Sequence, residues 1–157
     1  MRIFFLPIFF QSILVLTILS ATGCGEKATT AEEFYSTPVT LPDGAVIRVE
    51  SMRTPQQMMR GMMFRDELKP ERGMLFSHGS PGKYPYWMYQ VKIPLDIVWV
   101  GSNRRIVEIA ANTPPCPVGP ASKCPQFGGH EDALFVVELA GGVAATHGLK
   151  LGDLLAF

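Results

Sequence analysis

The sequence has no excess of charge of either sign and no run of basic residues. Fourteen Lys and Arg residues balance fourteen Asp and Glu residues, so the chain lacks the positive field with which proteins bind nucleic-acid phosphates. We therefore expect no nucleic-acid partner. Charged residues make up only 18% of the 157 residues, whereas hydrophobic residues make up 47%. This length and composition favour a single domain with its own core.

A recognisable catalytic arrangement is also missing from the sequence. No serine, cysteine or histidine lies in a motif typical of a nucleophile and its base, and no pair of carboxylates can be assigned to glycoside hydrolysis. The three histidines, His78, His130 and His147, lie near glycines in predicted loops or turns, where a surface role is expected. The sequence therefore favours a binding or accessory module over an enzyme, and it predicts no cofactor.

Apolar residues are concentrated at the N-terminus, in an order typical of a signal peptide. Arg2 precedes the stretch IFFLPIFFQSILVLTIL, and the small residues SATGC follow it. The segment from Ala21 to Cys24 resembles the lipobox of bacterial lipoproteins, in which the cysteine is acylated and the chain is cut just before it. An ordinary signal peptide or an uncleaved membrane helix is the alternative, although Pro7 and Gln11 interrupt the roughly 20 apolar residues that a membrane span needs.

This interpretation divides the chain into three parts. Residues 1–23 are predicted to be a lipoprotein signal peptide, residues 24–37 a polar, flexible tether, and residues 38–157 a single folded domain. Residue 25 is glycine rather than the aspartate that usually marks inner-membrane retention in Gram-negative bacteria, so the outer membrane is favoured. We expect a protein on the periplasmic side of the bacterial cell envelope, attached to the membrane by the lipid on Cys24.

The pattern of the remaining chain predicts a mostly β domain. Short runs of β-branched and aromatic residues bounded by Gly, Pro and Ser are typical of strands, and eight such runs lie at 38–41, 46–50, 73–76, 84–89, 95–100, 104–110, 133–139 and 153–157. The sequences PDGA and GSN predict hairpin turns. We expect a single small, barrel-like domain of about eight short strands. Two short helices make its class α+β, and an irregular loop covers residues 111–132.

Both predicted helices have recognisable boundaries. Thr54, Pro55 and Gln57 form a threonine/glutamine capping box with proline at the first helical position. The sequence GGVAATHG predicts a helical turn that ends at Gly148.

Four methionines follow the first helix start within six positions, at Met58, Met59, Met62 and Met63. At about 100° per residue they would share one face of a continuous helix. Soft thioethers on one face suit Cu(I) in the periplasm, but an amphipathic helix also turns such a face towards its core. The spacing alone leaves both interpretations open.

Six short motifs occur in the order and spacing of a known family. They are RGMMFR (60–65), GMLF (73–76), WM (87–88), IPLDIVWV (93–100), VVELAGG (136–142) and GLKLGD (148–153). On these motifs the chain, from about Val39 to Phe157, resembles the family called domain of unknown function 192 (DUF192), in the form of an exported lipoprotein. The resemblance implies a compact, mostly β fold found in exported and lipid-anchored prokaryotic proteins, and no established reaction.

The resemblance also bears on individual positions. The family's Arg-Gly, Phe-Arg, Trp-Met and Pro-Leu-Asp motifs correspond to Arg60-Gly61, Phe64-Arg65, Trp87-Met88 and Pro94-Leu95-Asp96. Tyr89-Gln90-Val91 replaces the polar Lys-Asn-Thr that usually follows Trp-Met, so a ligand site built on those polar groups would be altered here. Position 62 is more often leucine in the family, which implies that the methionines fill core positions. A Cu(I)-binding protein that uses the methionine-rich helix is the minor alternative.

Arg65, Trp87, Met88 and Asp96 are the candidate ligand-binding residues. Asp96 begins an otherwise apolar strand, where a carboxylate has to be solvated or paired, and Arg65 is a suitable partner. The alternative is a structural ion pair covered by aromatic residues.

Cys116 and Cys124 are the cysteines that are left in an oxidising compartment once Cys24 is lipidated. They lie in a loop with little hydrophobic material of its own, which predicts a disulfide. A metal site that adds His130 is the alternative, but three ligands without a fourth make a poor structural zinc site. We therefore predict a disulfide and no metal.

The predicted function is that of a lipid-anchored envelope protein that serves as a binding or accessory module for an envelope ligand or protein partner. An enzyme that acts on envelope polymer is the alternative from another class. A concave pocket that holds Asp96 beside a second carboxylate with a raised pKa would favour the enzyme, whereas an aromatic groove around Trp87 would favour binding.

Overall fold

The computed structural model of the protein describes residues 36–157. Within this range the strands are β1 (Ser36–Thr40), β2 (Val46–Met52), β3 (Arg72–Gly82), β4 (Tyr86–Trp87), β5 (Leu95–Val100), β6 (Ile106–Thr113), β7 (Gln126–Phe127) and β8 (Ala133–Ala140). The helices are α1 (Pro55–Arg60) and α2 (Val143–Thr146), with a 3-10 turn at Ala121–Lys123. The predicted signal peptide, Cys24 and most of the tether lie outside the described residues. None of the helices in this part of the chain has the length and apolar character to cross a membrane.

Six strands form one mixed sheet in the order β1-β2-β3-β8-β5-β6. Strands β2 and β3 pair in parallel, whereas the other neighbouring strands of this sheet are antiparallel. Strands β4 and β7 pair separately as a two-stranded sheet. A parallel pair needs a crossover connection, and here α1 and the residues that follow it supply that connection.

The last residues of the chain connect the two edge strands of the large sheet. Thr40 of β1 exchanges backbone hydrogen bonds of 2.8 and 3.0 Å with Ala156, and the Ile106 N–H of β6 donates to the Asp153 carbonyl at 2.9 Å. The segment predicted as a strand over 153–157 makes only isolated bridges. In residues 36–157, strand pairing therefore does not close the sheet into a barrel. The mostly β class with eight strands and two short helices is confirmed.

Alternation along the strands gives the sheet two apolar faces. One face carries a cluster that includes Val49, Leu75, Val98, Val137 and Leu139, and it is covered by Val143 of α2 and by Leu155. The other face carries a cluster that includes Met74, Phe76, Ile97, Trp99 and Val136, and it is covered by Met62, Met88 and Val91. Because successive side chains point to opposite faces, Asp96 on β5 lies with the first cluster and Glu138 on β8 lies with the second.

Helix α1 begins where predicted, but it ends before two of the four methionines. The Gln57 N–H donates to Thr54 Oγ1 at 3.3 Å, and the Thr54 N–H donates to Gln57 Oε1 at 3.1 Å, which confirms the capping box. Gly61 then has a φ of 42°, a conformation that glycine adopts without the steric penalty of a Cβ atom. The helix has six residues, so Met62 and Met63 lie beyond it. The prediction of one helical face for all four methionines is therefore wrong.

Local signals placed most of the other elements correctly. Both predicted hairpins are present, as β1–β2 and β5–β6. Strand β1 begins before Pro38, because Ser36 and Thr37 pair with Glu50 and Val49. Of the predicted strand over 84–89, only Tyr86–Trp87 pairs. The predicted disulfide is confirmed, since Cys116 and Cys124 are bonded with their Cα atoms 5.5 Å apart.

Candidate functional site

A concave pocket of about 250 Å³ lies on the face of the sheet that carries Glu138. Three parts of the chain line it: α1 with the turn after it, the segment from the middle of β3 to Val91, and β8. Six lining residues have aromatic rings, namely Phe76, His78, Tyr84, Tyr86, Trp87 and Tyr89. Four others are the methionines Met58, Met59, Met62 and Met63. We call this cavity the aromatic pocket.

Glu138 supplies the carboxyl group of the aromatic pocket. It lies on β8 between Met74 of β3 and Ile97 of β5, and only 4% of its surface is exposed. Its Oε2 atom has no hydrogen-bond partner among the described residues. A buried polar atom without a partner is uncommon in folded proteins, because nothing compensates for the loss of its hydration. This oxygen is therefore a place where a ligand can gain binding energy.

Burial also changes the charge state of Glu138. It raises the pKa of this carboxyl to about 8, because the charged form loses most of its hydration. The positive charge of Arg65 lowers the pKa, but its effect is smaller than that of burial. At neutral pH the carboxyl is mostly protonated and can donate a hydrogen bond. It can also release its proton when a cation comes close.

One wall of the pocket is a connected set of aromatic rings. The ring of His78 stacks on Tyr84 with their centroids 3.6 Å apart, and Tyr86 meets Phe76 edge to face at 5.2 Å. Tyr86 Oη and His78 Nε2 are 3.2 Å apart, which is within hydrogen-bond distance. Burial lowers the pKa of His78, and burial together with Glu138 raises the pKa of Tyr86. Both rings are therefore uncharged at neutral pH.

The rim of the pocket contains a second aromatic pair and a glycine. The ring centroids of Trp87 and Tyr89 are 5.3 Å apart, and 38% of the Trp87 surface is exposed. A Cβ atom at Gly61 would lie 3.3 Å from Phe76 Cζ and 3.8 Å from Glu138 Oε2. Glycine at this position therefore leaves space beside the carboxyl that most side chains would fill.

The loop that contains the disulfide and β7 holds the aromatic wall in place. Trp99 Nε1 donates to the Tyr84 carbonyl at 2.8 Å, and a Cβ atom at Gly128 would overlap the Trp99 ring. The Cys116 N–H donates to the Met88 carbonyl at 3.3 Å. These contacts fix residues 84–91, which we call the β4 segment, against the sheet, so the aromatic residues of that segment are positioned by buried structure.

The four candidate residues predicted from sequence do not lie together. Trp87 lines the aromatic pocket. Met88 is completely buried in the core. The guanidinium of Arg65 makes two hydrogen bonds to the Glu50 carboxylate, at 2.6 and 2.8 Å.

Asp96 has a structural role on the other face of the sheet. Its Oδ1 accepts from the Asn112 N–H at 2.6 Å and its Oδ2 accepts from the Ala144 N–H at 2.7 Å. The side chain is fully buried, and it satisfies a donor in the first turn of α2. The predicted ion pair between Arg65 and Asp96 is therefore wrong, because strand alternation turns Asp96 away from the aromatic pocket.

The four methionines that line the pocket differ in burial. Met62 is 1% exposed and Met58 packs partly buried against the core, whereas Met59 is 73% exposed. The assignment of all four to the core is therefore wrong for Met59, which lies within α1 with its side chain exposed. In residues 36–157 there is no group of three or more His, Cys, Asp or Glu side chains arranged to hold a metal ion.

Sequence reasoning missed Glu138, although the signal was present. Glu138 lies in the apolar strand ALFVVELA, just as Asp96 lies in LDIVWV, and both patterns place a carboxyl inside the sheet. Only the partners distinguish the two residues, since Asp96 finds two backbone donors and Glu138 Oε2 finds none among the described residues. Two members of the unusual triplet, Tyr89 and Val91, also line the aromatic pocket.

Comparison with known proteins gives a family and two similar structures. The profile of the family DUF192, described as an uncharacterized ACR, matches residues 39–157. A structure from Novosphingobium aromaticivorans DSM 12444, of a protein of unknown function, is 38% identical with a TM-score of 0.70, over 78% of this chain and 85% of that chain. A structure from Sinorhizobium meliloti 1021, described as a candidate transcription regulator, is 27% identical with a TM-score of 0.64, over 76% and 89%. No curated protein matches the chain significantly.

Proposed function

Since the chain belongs to the DUF192 family, whose members are described only as uncharacterised, we propose from its pocket that it is a small-molecule-binding module of the bacterial cell envelope. The aromatic pocket carries this proposal. It combines a concave shape, rings and thioethers on its walls, and one buried carboxyl with an unpartnered oxygen. Sites for small organic molecules are typically apolar cavities with a few well-placed polar groups.

The geometry supports binding better than polymer hydrolysis. An enzyme with two carboxylates would need a second acid beside Glu138, but Asp96 lies on the opposite face of the sheet and is held by Asn112 and Ala144. A volume of about 250 Å³ suits a small molecule rather than a length of polymer. The aromatic surface around Trp87 is the feature that favours binding.

Location in the envelope is part of the proposal and is supported by the N-terminal sequence alone. The segment from Ala21 to Cys24 resembles a lipobox, so we propose a lipid-anchored protein at the periplasmic side, in the outer rather than the inner membrane. A nucleic-acid partner is not proposed, because the balanced charge of the chain offers no attraction to phosphates.

The proposal can be tested with protein purified from its own membranes. Native mass spectrometry should show a small molecule bound to the wild-type protein, and the Trp87→Ala variant should lose it because part of the aromatic rim is removed. The control is Leu151→Ala, which also truncates an exposed apolar side chain (67% exposed) but does not line the pocket. Equal retention by both variants would show that the molecule is bound elsewhere.

Cu(I) binding is the second candidate, and the exposure of Met59 favours it. Met58, Met59, Met62 and Met63 line one cavity, and thioethers are suitable Cu(I) ligands. A competition titration with a Cu(I) chelator separates the candidates. Tight binding of one Cu(I) that is lost in Met59→Leu and Met63→Leu would support a Cu(I)-binding function. Weak binding that these substitutions leave unchanged would support binding of a small molecule instead.

A further inference from the structure

We propose that the ligand of the aromatic pocket carries an organic ammonium group, primary or quaternary, which lies against the carboxylate of Glu138. This inference rests on the proposed function and specifies the chemistry of its ligand. Three features carry it: the unpartnered oxygen of Glu138, the ring surfaces around it, and the absence of a neutralising ion pair for this carboxyl among the described residues.

The first feature is the position of the Glu138 carboxyl. The side chains of its strand neighbours, Met74 and Ile97, are apolar and offer no hydrogen-bond donor. Oε2 has no partner in the described part of the chain, and it lies only 3.8 Å from where a Cβ atom at Gly61 would be. Because Gly61 has no side chain, the space next to this oxygen is left for a ligand. A donor or a cation placed there would replace the hydration that the carboxyl has lost.

The second feature is the number of ring surfaces in a small cavity. Phe76, Tyr84, Tyr86, Trp87 and Tyr89 all line the same pocket as Glu138. The faces of aromatic rings attract cations, and this attraction is strongest where water is excluded. An ammonium group can therefore contact Glu138 and one or more of these ring faces at once. A neutral ligand would gain burial in the pocket but not this electrostatic attraction.

The third feature is the state of the charged groups around Glu138. On α1, Arg60 lines the pocket but is exposed to solvent. Arg65 donates two hydrogen bonds to Glu50. Its positive charge lowers the pKa of Glu138 by less than burial raises it. From β3 and the β4 segment, His78 and Tyr86 face the pocket as neutral rings. The apolar neighbours on β5 contribute no charge.

Binding of an ammonium ion near neutral pH has a defined proton balance. The Glu138 carboxyl gives its proton to the buffer, and the resulting carboxylate pairs with the cation. The O–H bond of the carboxyl breaks, a bond between the proton and the buffer base forms, and no other covalent bond changes. A neutral ligand that accepts a hydrogen bond from the protonated carboxyl would release no proton. Proton release thus separates the two kinds of ligand.

Two pairs of probes test the inference. Benzylammonium has an ammonium group where benzyl alcohol has a hydroxyl group. Choline has a charged nitrogen where 3,3-dimethylbutan-1-ol has a carbon. Calorimetric titration of the full-length protein in detergent, at about pH 7 in two buffers of different ionisation enthalpy, measures both affinity and proton release. We expect at least one cation to bind roughly tenfold tighter than its neutral partner and to release up to about one proton per ligand.

Two variants make the result specific to Glu138. Glu138→Gln keeps the shape of the side chain and removes its charge, so the preference for the cation and the proton release should both disappear. Glu71→Gln, at an exposed position of the same residue type, should keep both. Neutral probes that bind as tightly as the cations without proton release would overturn the ammonium inference and leave the proposed pocket function standing. Absence of binding by all four probes, together with no molecule bound to membrane-purified protein, would contradict both.

Discussion

At the scale of single residues, two buried acids show how similar sequence signals lead to different roles. Asp96 and Glu138 each interrupt an apolar strand, and each is almost completely buried. Asp96 receives two backbone N–H donors, whereas the Glu138 Oε2 atom receives none from residues 36–157. A sequence can indicate that a buried acid is present, but its partners come from distant segments, such as Ala144 for Asp96. This is why the sequence favoured Asp96 for the site and missed Glu138.

The first prediction is that the free energy of unfolding depends on pH through Glu138. Because burial raises the pKa of Glu138 to about 8 from an ordinary value of 4.5, the folded state holds this proton more tightly than the unfolded state. The corresponding stabilisation is complete below about pH 4.5 and is lost as pH rises through about 8. A shift of this size corresponds to at most about 5 kcal/mol in the free energy of unfolding.

Urea unfolding at a series of pH values checks this prediction. Between about pH 5 and 8.5 the stability of the wild-type protein should fall relative to that of Glu138→Gln. The lowered pKa of His78 acts in the opposite direction below about pH 6.5, but both proteins contain His78, so the difference between their slopes reports on Glu138. The lowered pKa values of Asp43 and Glu108 act mainly below this window. Identical slopes in both proteins would show that Glu138 is not held protonated by the fold.

The second prediction concerns Asp96. Asp96→Ala removes the acceptor of both the Asn112 and Ala144 N–H groups, and each buried donor left without a partner costs roughly 1–3 kcal/mol. The variant should lose several kcal/mol of stability, while its pocket keeps its affinity for a ligand, since Asp96 lies on the other face of the sheet. Asp66→Ala is the control, because that side chain is 82% exposed. A loss of ligand affinity in folded Asp96→Ala would contradict this structural role.

At the scale of elements, local signals were reliable and the ends of elements were not. The capping box at Thr54 and the two hairpin turns act between residues close in sequence, so they could be predicted. Helix α1 ends at Gly61, whose backbone leaves the helical conformation with a φ of 42°, although the methionine spacing continues past it. The parallel pairing of β2 with β3 and the bridges made by the last residues are contacts between distant parts of the chain.

The third prediction concerns the disulfide loop. Replacing both Cys116 and Cys124 with serine removes the constraint on a loop whose ends are 8 residues apart. On the loop-entropy model this costs roughly 2.5 kcal/mol, and the β domain should stay folded because the buried residues of both cores lie outside the loop. Chemical denaturation measures the loss. If the double variant cannot fold, the loop contributes more than a local constraint on the segment around β4.

At the scale of the whole molecule, the sheet separates structure from site. One face carries Asp96 and is covered by α2 and the C-terminal segment, whereas the other carries Glu138 and the aromatic pocket. The class and seven of the eight strands could be predicted because they follow from composition and periodicity. Strand β7 lies in the segment predicted as an irregular loop, and the predicted strand over 153–157 makes only isolated bridges. The pocket could not be predicted, because it is assembled from α1, the β4 segment and β8, whose contacts are fixed only by the complete fold.

The fourth prediction concerns the anchor. If Cys24 is acylated, Cys24→Ser should abolish labelling by a fatty-acid analogue and release the protein from membranes. The strands and helices of residues 36–157 should be unaffected, since Cys24 lies outside this part of the chain. Cys116→Ser with Cys124→Ser serves as a control that removes other cysteines without touching the anchor. Unchanged labelling in Cys24→Ser would contradict the lipoprotein assignment.

The central claim is that Glu138 and the surrounding rings form a binding site for a small molecule. A high-resolution crystal structure of the protein isolated from its own membranes tests this most directly. We predict a bound organic molecule in the aromatic pocket, with a polar or charged group within hydrogen-bond distance of Glu138 Oε2. A pocket that holds only ordered water, with that water hydrogen-bonded to Glu138, would contradict the claim.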